Sequence, residues 1–374
     1  MRLTRCFALA VGTAALVGAG LTATTPALAS PHDQTFLGMF HHTKLVASTV
    51  PRNGDVNPYG VALVRRSQGK LHRNSVLISN FNNSKNLQGT GSTIVQISPS
   101  GHRTQFAHIT RRGLPGPCPG GIGLTTALVI MRGWVLVGST PSTNGQAATA
   151  KAGCVLVLDS RGRVRETISG HGINGPWDAT AVVNGVHGSL FVTNVLNGTV
   201  RGKGKIVRRG TVLRIGIEFI PGHLPRVRSM TVVGSGFAQR TDPAAFVVGP
   251  TGLGLGEDGR LFVADTAENR ITMIKHAFTR RHSAGTGRVV TKGGLLNGPL
   301  GLVVVSNGNV LTVNAGDGRI VETDTDNGMQ VASRFLDRSG SPPGSGALFG
   351  LGVAPHDAGV YYVDDAVNTL RLLF

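Results

Sequence analysis

The densest cluster of chemically capable side chains is basic. Arg201, Lys203, Lys205, Arg208 and Arg209 fall within one short stretch, residues 196–210. Such a cluster can dock an anionic polymer through charge, or it can be a solvated hairpin tip. Acid–base candidates are sparser. Asp178 stands two residues after Pro176, and His171 lies shortly before it. Together they could form a small site, or Asp178 could simply accept hydrogen bonds from neighbouring backbone. The 12 histidines, including the pair His41-His42, share no repeated position that would gather two of them at one rim. No G-x-S-x-G elbow and no H-E-x-x-H helix occurs. Asn80, Asn194, Asp265, Asn314 and Asp364 recur at the ends of short apolar runs. A row of oxygens could suit calcium, but Asp and Asn at strand ends more often bond their own turn backbone. Cys118 and Cys154 could form a disulfide in an oxidising compartment, or remain two buried thiols.

These residues are positioned by a repeat. Pro250-Thr251-Gly252-Leu253 leads through an Asp258-Gly259 turn to Leu261-Phe262-Val263-Ala264-Asp265 and then Asn269-Arg270-Ile271. The pattern returns at Pro299-Leu300-Gly301-Leu302 and at Leu348-Phe349-Gly350-Leu351. More worn copies start at Pro58-Tyr59-Gly60, Gly123-Leu124-Thr125 and Pro176-Trp177-Asp178, which makes six. Many glycines, 54 in all, together with short Val/Leu/Ile runs, suit short strands joined by tight turns.

The Pro-Thr-Gly-Leu, Leu-Phe-Val-Ala-Asp-Thr and Asn-Arg-Ile segments resemble an NHL repeat. The likeness is close over residues 249–275, fair in the next two copies and loose before residue 200. It implies an all-β fold, a six-bladed β-propeller of four-stranded sheets stacked about an axis. We label the strands of each blade A to D from the axis outward. The last copy supplies three strands, and residues 40–50 form a spare one. The sixth blade is therefore expected to be closed by an N-terminal strand, which also removes a free sheet edge.

The B–C loops are tight in blades four to six and long in blades one to three, at residues 82–91, 140–153 and 196–210. Loops on a rigid scaffold are a usual place for binding. This points to the B–C face, with the basic cluster on it, as the expected binding face. Six-bladed gluconolactonase-like proteins bind a metal partly through Asn or Asp at the middle of P-x-G. Here those positions hold Tyr59, Trp177, Thr251, Leu300 and Phe349, so the resemblance in fold does not bring that site with it. Virginiamycin B lyase-like propellers use a metal and a histidine base, which cannot be assembled from these histidines.

Residues 1–29 read as a secretory signal peptide. Arg2 and Arg5 precede a short apolar stretch that ends at Ala27-Leu28-Ala29. Residues 30–39 would be a lead-in and 40–374 the propeller. The net charge is +18, and +16 without Arg2 and Arg5. No later apolar run is long enough to cross a membrane. The resulting expectation is a secreted, monomeric, non-catalytic binding module without a cofactor. Its partner would be an anionic surface polymer or a protein, and no sequence-specific nucleic-acid signature is present. The alternative is a propeller hydrolase or lyase, lactonase-like, with a divergent site around Asp178.

Overall fold

A computed structural model describes residues 35–374. The expected signal peptide, residues 1–29, lies outside the described residues. The described residues form six antiparallel sheets. Blade one contains β2 (Val56–Leu63), β3 (Val76–Asn82), β4 (Thr93–Ile97) and β5 (Arg103–His108). Blade two contains β6 (Leu124–Met131), β7 (Trp134–Ser139), β8 (Cys154–Leu158) and β9 (Val164–Ile168). Blade three contains β10 (Pro176–Asn184), β11 (His187–Asn194), β12 (Val207–Glu218), β13 (Arg226–Asp242) and a short fifth strand, β14 (Phe246–Val248). Blade four contains β15 (Pro250–Leu255), β16 (Leu261–Asp265), β17 (Arg270–Ile274) and β18 (Arg288–Lys292). Blade five contains β19 (Pro299–Val304), β20 (Val310–Asn314), β21 (Arg319–Thr323) and β22 (Gln330–Phe335). Blade six contains β23 (Leu348–Val353), β24 (Val360–Asp364) and β25 (Thr369–Leu373), with β1 (Thr43–Ser48) as its outer strand.

Ring closure follows the sequence reading. β1 pairs antiparallel with β25, from Thr43 opposite Leu373 to Ser48 opposite Thr369. Residues 35–39, the described part of the expected lead-in 30–39, do more than precede that strand, as does residue 40. Phe36, Leu37 and Phe40 are buried against blades five and six. The Glu322 carboxylate on β21, itself fully buried, accepts hydrogen bonds from the Phe36 and Leu37 backbone N–H groups at 2.9 and 2.8 Å.

The second and third strands read as nearly unbroken apolar runs because both their faces are covered by neighbouring blades. β3, β4, β8, β16, β20 and β24 are buried throughout, whereas outer strands such as β5 and β22 are partly exposed. At the axis the inner strands approach too closely for a side chain. A Cβ on Gly252, Gly301 or Gly350 would stand 2.1, 2.0 or 2.1 Å from the carbonyl oxygen of Leu300, Phe349 or Tyr59 in the next blade. The recurring Gly of P-x-G is therefore a packing requirement of the ring.

The Asp/Asn column bonds backbone and neighbouring cations. Asn80 and Asn314 donate to the carbonyls of Thr49 and Leu295, and Asn194 accepts from the Asn174 N–H. All three partners lie in connections entering an inner strand. Asp265 pairs with Arg270 at 2.8 Å. Cys118, in the connection between blades one and two, is disulfide-bonded to Cys154 at the start of β8, with Cα atoms 5.2 Å apart. The bond closes a segment with a sequence separation of 36. Replacing both cysteines with serine is expected to cost about 3 kcal/mol, chiefly by freeing the unfolded chain. Urea titration should show this loss in the variant, and show the same loss in the native protein once it is reduced.

Candidate functional site: an axial funnel with Asp178 at its floor

The two ends of the central channel differ. On the B–C face it is stoppered by an aromatic plug. Tyr59 stacks on Phe349 and Phe81, with ring centroids 4.2 and 4.6 Å away, and meets Trp177 edge-on at 5.8 Å. Phe246 completes the plug against Phe81 and Trp177. Its φ of +64° is a costly conformation for an aromatic residue, so the surrounding packing must hold it there. The long loops close over this plug. Ser142 is bonded through its N–H to the Gly89 carbonyl and through its hydroxyl to the Gln88 carbonyl. Gln88 in turn donates to the Pro243 carbonyl at 3.2 Å. The expected binding face therefore carries a cap over this channel mouth.

Three of the P-x-G midpoints, Tyr59, Trp177 and Phe349, belong to the plug. Rings fill the place where the lactonase-like metal ligands would converge. The residues present do not fit that metal centre, and no step is assigned to one.

The channel opens on the opposite face, among the A–B and C–D turns. A funnel of about 1140 Å³ extends from that face to the axis. Its wall is made by the ends of the inner strands, including Leu63, Ile130, Val183, Val303 and Val353. Its rim carries Arg65, Arg66, Arg132 and Arg165, with Asp159, His223 and the segment 219–224 joining β12 to β13. At the floor stand Asp178 and Thr126.

Asp178 occupies the position that is Gly in four other blades. Its side chain reaches blade four, where its Oδ2 accepts the Leu253 N–H at 2.8 Å. The residue is 8% exposed. Burial pushes its carboxyl up to about 7, against the opposing pull of hydrogen bonds from the backbone N–H groups of Leu253 and Ala179. A carboxyl poised near neutrality can take or give a proton at physiological pH.

The other expected site residues are dispersed. His171 sits exposed in the turn between blades two and three, with a φ of +48°, and does not line the funnel. Asp178 and His171 are not brought together. Arg201, Lys203 and Lys205 are exposed in the third long loop, but Arg208 and Arg209 already belong to β12. Arg208 pairs with Glu268 of blade four at 2.8 Å. Repeat residues such as Gly301, Leu302, Gly350 and Leu351 line the inner funnel, but its rim residues carry no repeat signature. Only the departure from Gly at 178 marked this end of the axis in the sequence.

No protein-family model matches the chain, and no curated protein matches it. Solved structures do. A gluconolactonase from Xanthomonas campestris is 12% identical, with 88% of each chain covered and a TM-score of 0.53. A streptogramin B lyase is 13% identical over 90% of this chain and 98% of that one, with a TM-score of 0.51. Virginiamycin B lyase from Staphylococcus aureus is 14% identical over 89% of this chain and 99% of that one, with a TM-score of 0.50. At such identities the likeness is one of fold. The chain is similar to the six-bladed propellers of gluconolactonase-like and virginiamycin B lyase-like proteins.

Proposed function

We propose that the protein is an exported acid–base enzyme of the hydrolase or lyase type, working from Asp178 in the axial funnel. One observation carries this reading: a buried carboxylate stands at the floor of a large concave site lined by both aliphatic and polar groups. Hydrolysis of a lactone or simple ester illustrates the chemistry. Asp178 takes a proton from water as the oxygen attacks the carbonyl carbon. The same proton then passes to the departing alkoxide oxygen as the C–O bond breaks. Thr126 offers a hydroxyl at the same floor to the carbonyl oxygen. A lyase reaction would use the same base on a C–H beside a carbonyl. The Cys118–Cys154 bond supports an oxidising destination, and the P-x-G-L repeats support placing the blades with the NHL type.

Proton release from a panel of lactones and esters, followed in a pH-stat, tests the reading. Turnover should rise with pH through about 7 as Asp178 ionises. Asp178→Asn should lower turnover by roughly 10²-fold or more. No turnover across the panel, or full turnover by the variant, would overturn it.

A second reading concerns the capped face, where exposed basic side chains cluster. There the protein would adhere to an anionic surface polymer. Replacing Arg201, Lys203, Lys205, Arg208 and Arg209 with serine should then weaken retention on immobilised polyphosphate and flatten its salt dependence. The melting temperature should barely move, because exposed charges contribute little to stability. Unchanged retention would leave the cluster as a solvated surface.

A further inference from the structure

The funnel is chemically layered, and the layers constrain its ligand. We propose that it takes a small amphiphilic anion, an apolar chain or ring bearing one carboxylate. The anionic group would sit at the arginine rim and the apolar body along the aliphatic wall. This rests on the reading of the funnel as the substrate site and names the substrate class for it.

The rim argues for the anion. Four arginines face one aspartate there. Arg165 is shared with Asp159 at 3.4 Å, and Arg132 donates from Nη1 to the Gly185 carbonyl at 2.7 Å. Arg65 and Arg66 are exposed and have no ion-pair partner among the described residues. A guanidinium presents donors in a planar fork matched to a carboxylate, so this pair is suited to holding one.

The wall argues for the apolar body. Leu63, Ile130, Val183, Val303 and Val353 are all half-buried, with their remaining surface turned to the funnel. Leu224, at the mouth, is 41% exposed. Covering such surface favours binding in proportion to the apolar area removed from water.

The floor sets the direction. Asp178 stands at the floor, and when ionised it repels an anion. The anionic end therefore stays at the rim, and the uncharged reacting end of the ligand reaches Asp178. A volume of about 1140 Å³ leaves room for a ligand of drug-like size along this path.

The test uses the full chain and three probes with ten-carbon chains, below their micelle concentrations: decanoate, decyl glucoside and decyltrimethylammonium. Binding is read by isothermal titration, which needs no turnover. Decanoate should bind about tenfold more tightly than either other probe, and several-fold more weakly at high salt. Arg65→Ser with Arg66→Ser should weaken decanoate about tenfold and leave decyl glucoside unchanged, which also shows that the variant is folded. Asp178→Asn should keep or strengthen decanoate binding. Equal binding of the neutral probe, no binding of decanoate, or no effect of the arginine pair would overturn the proposal. The two readings fail separately. Decanoate binding without lactone or ester turnover would sink the catalytic reading alone, and turnover without anion preference would sink this one alone.

Discussion

Asp178→Asn is expected to make the propeller more stable at pH 8, by up to about 4 kcal/mol. The sign follows from burial. An aspartate whose carboxyl is pushed up to about 7 in the fold keeps its proton there after the unfolded chain has lost it. Below about pH 4 both states are protonated and the residue is neutral towards stability. Between about 4 and 7 the folded state holds the extra proton, so stability falls as pH rises. Above 7 the whole cost of an ionised, desolvated carboxylate is present. Each unit of displacement is worth about 1.4 kcal/mol, which sets the upper figure. Asparagine still accepts the Leu253 N–H through its carbonyl and carries no charge to desolvate. Asp364 and Asp365 are also pushed up by burial, to about 6 and about 7, so the native protein has further terms of the same sign. The comparison between native and variant isolates the contribution of Asp178. Urea titrations at pH 5 and pH 8 would reveal it. Parallel pH dependences in the two proteins would show that the carboxylate is not buried as described. A residue that costs stability in the resting protein is the pattern expected where function and stability compete.

The N-terminal latch carries the second large effect. Phe36→Ala is expected to cost about 4 kcal/mol, and Glu322→Ala about 3 kcal/mol. Phe36 is 1% exposed and meets Phe40 edge-on at 5.1 Å, so truncation leaves a cavity in the seam of blades five and six. Glu322 accepts the Phe36 and Leu37 N–H groups and also the side-chain amides of Asn307 and Asn309, at 3.2 and 2.7 Å. Removing the carboxylate strands several buried donors at once. Both residues hold the segment that delivers β1 to the sixth blade, so their losses should not add. A double variant losing clearly less than the summed amount would show that they act on one closure, because residues sharing one structural element couple. Strict additivity would show two independent contacts.

Much of the architecture was legible along the chain. The P-x-G-L and L-F-V-A-D segments recur because each blade meets the same local demands. Gly252, Gly301 and Gly350 must let a neighbouring carbonyl approach. Strands buried on both faces must be apolar throughout. A repeat of local demands leaves a repeat of residue types, and counting it led to six blades. The closing strand was readable for a related reason: three strands in the last copy and one spare strand before the first leave a single economical pairing, which β1 and β25 make.

The open end of the channel was decided only in three dimensions. Loop length pointed to the B–C face, but it carries no information about what fills the channel beneath. That end is closed by Tyr59, Phe81, Trp177, Phe246 and Phe349, drawn from blades one, three and six and from the extra strand β14. None of these residues is near another in sequence except by folding of the ring. The raised carboxyl of Asp178 is likewise a property of its surroundings, since desolvation depends on what packs around a group rather than on its neighbours in the chain. The Cys118–Cys154 bond required knowing that a connection and a strand start lie 5.2 Å apart at their Cα atoms. Composition, period and turn chemistry determined that this is a six-bladed ring. Contacts between distant residues determined which mouth is open, where the buried carboxylate of Asp178 sits, and which charges line the rim.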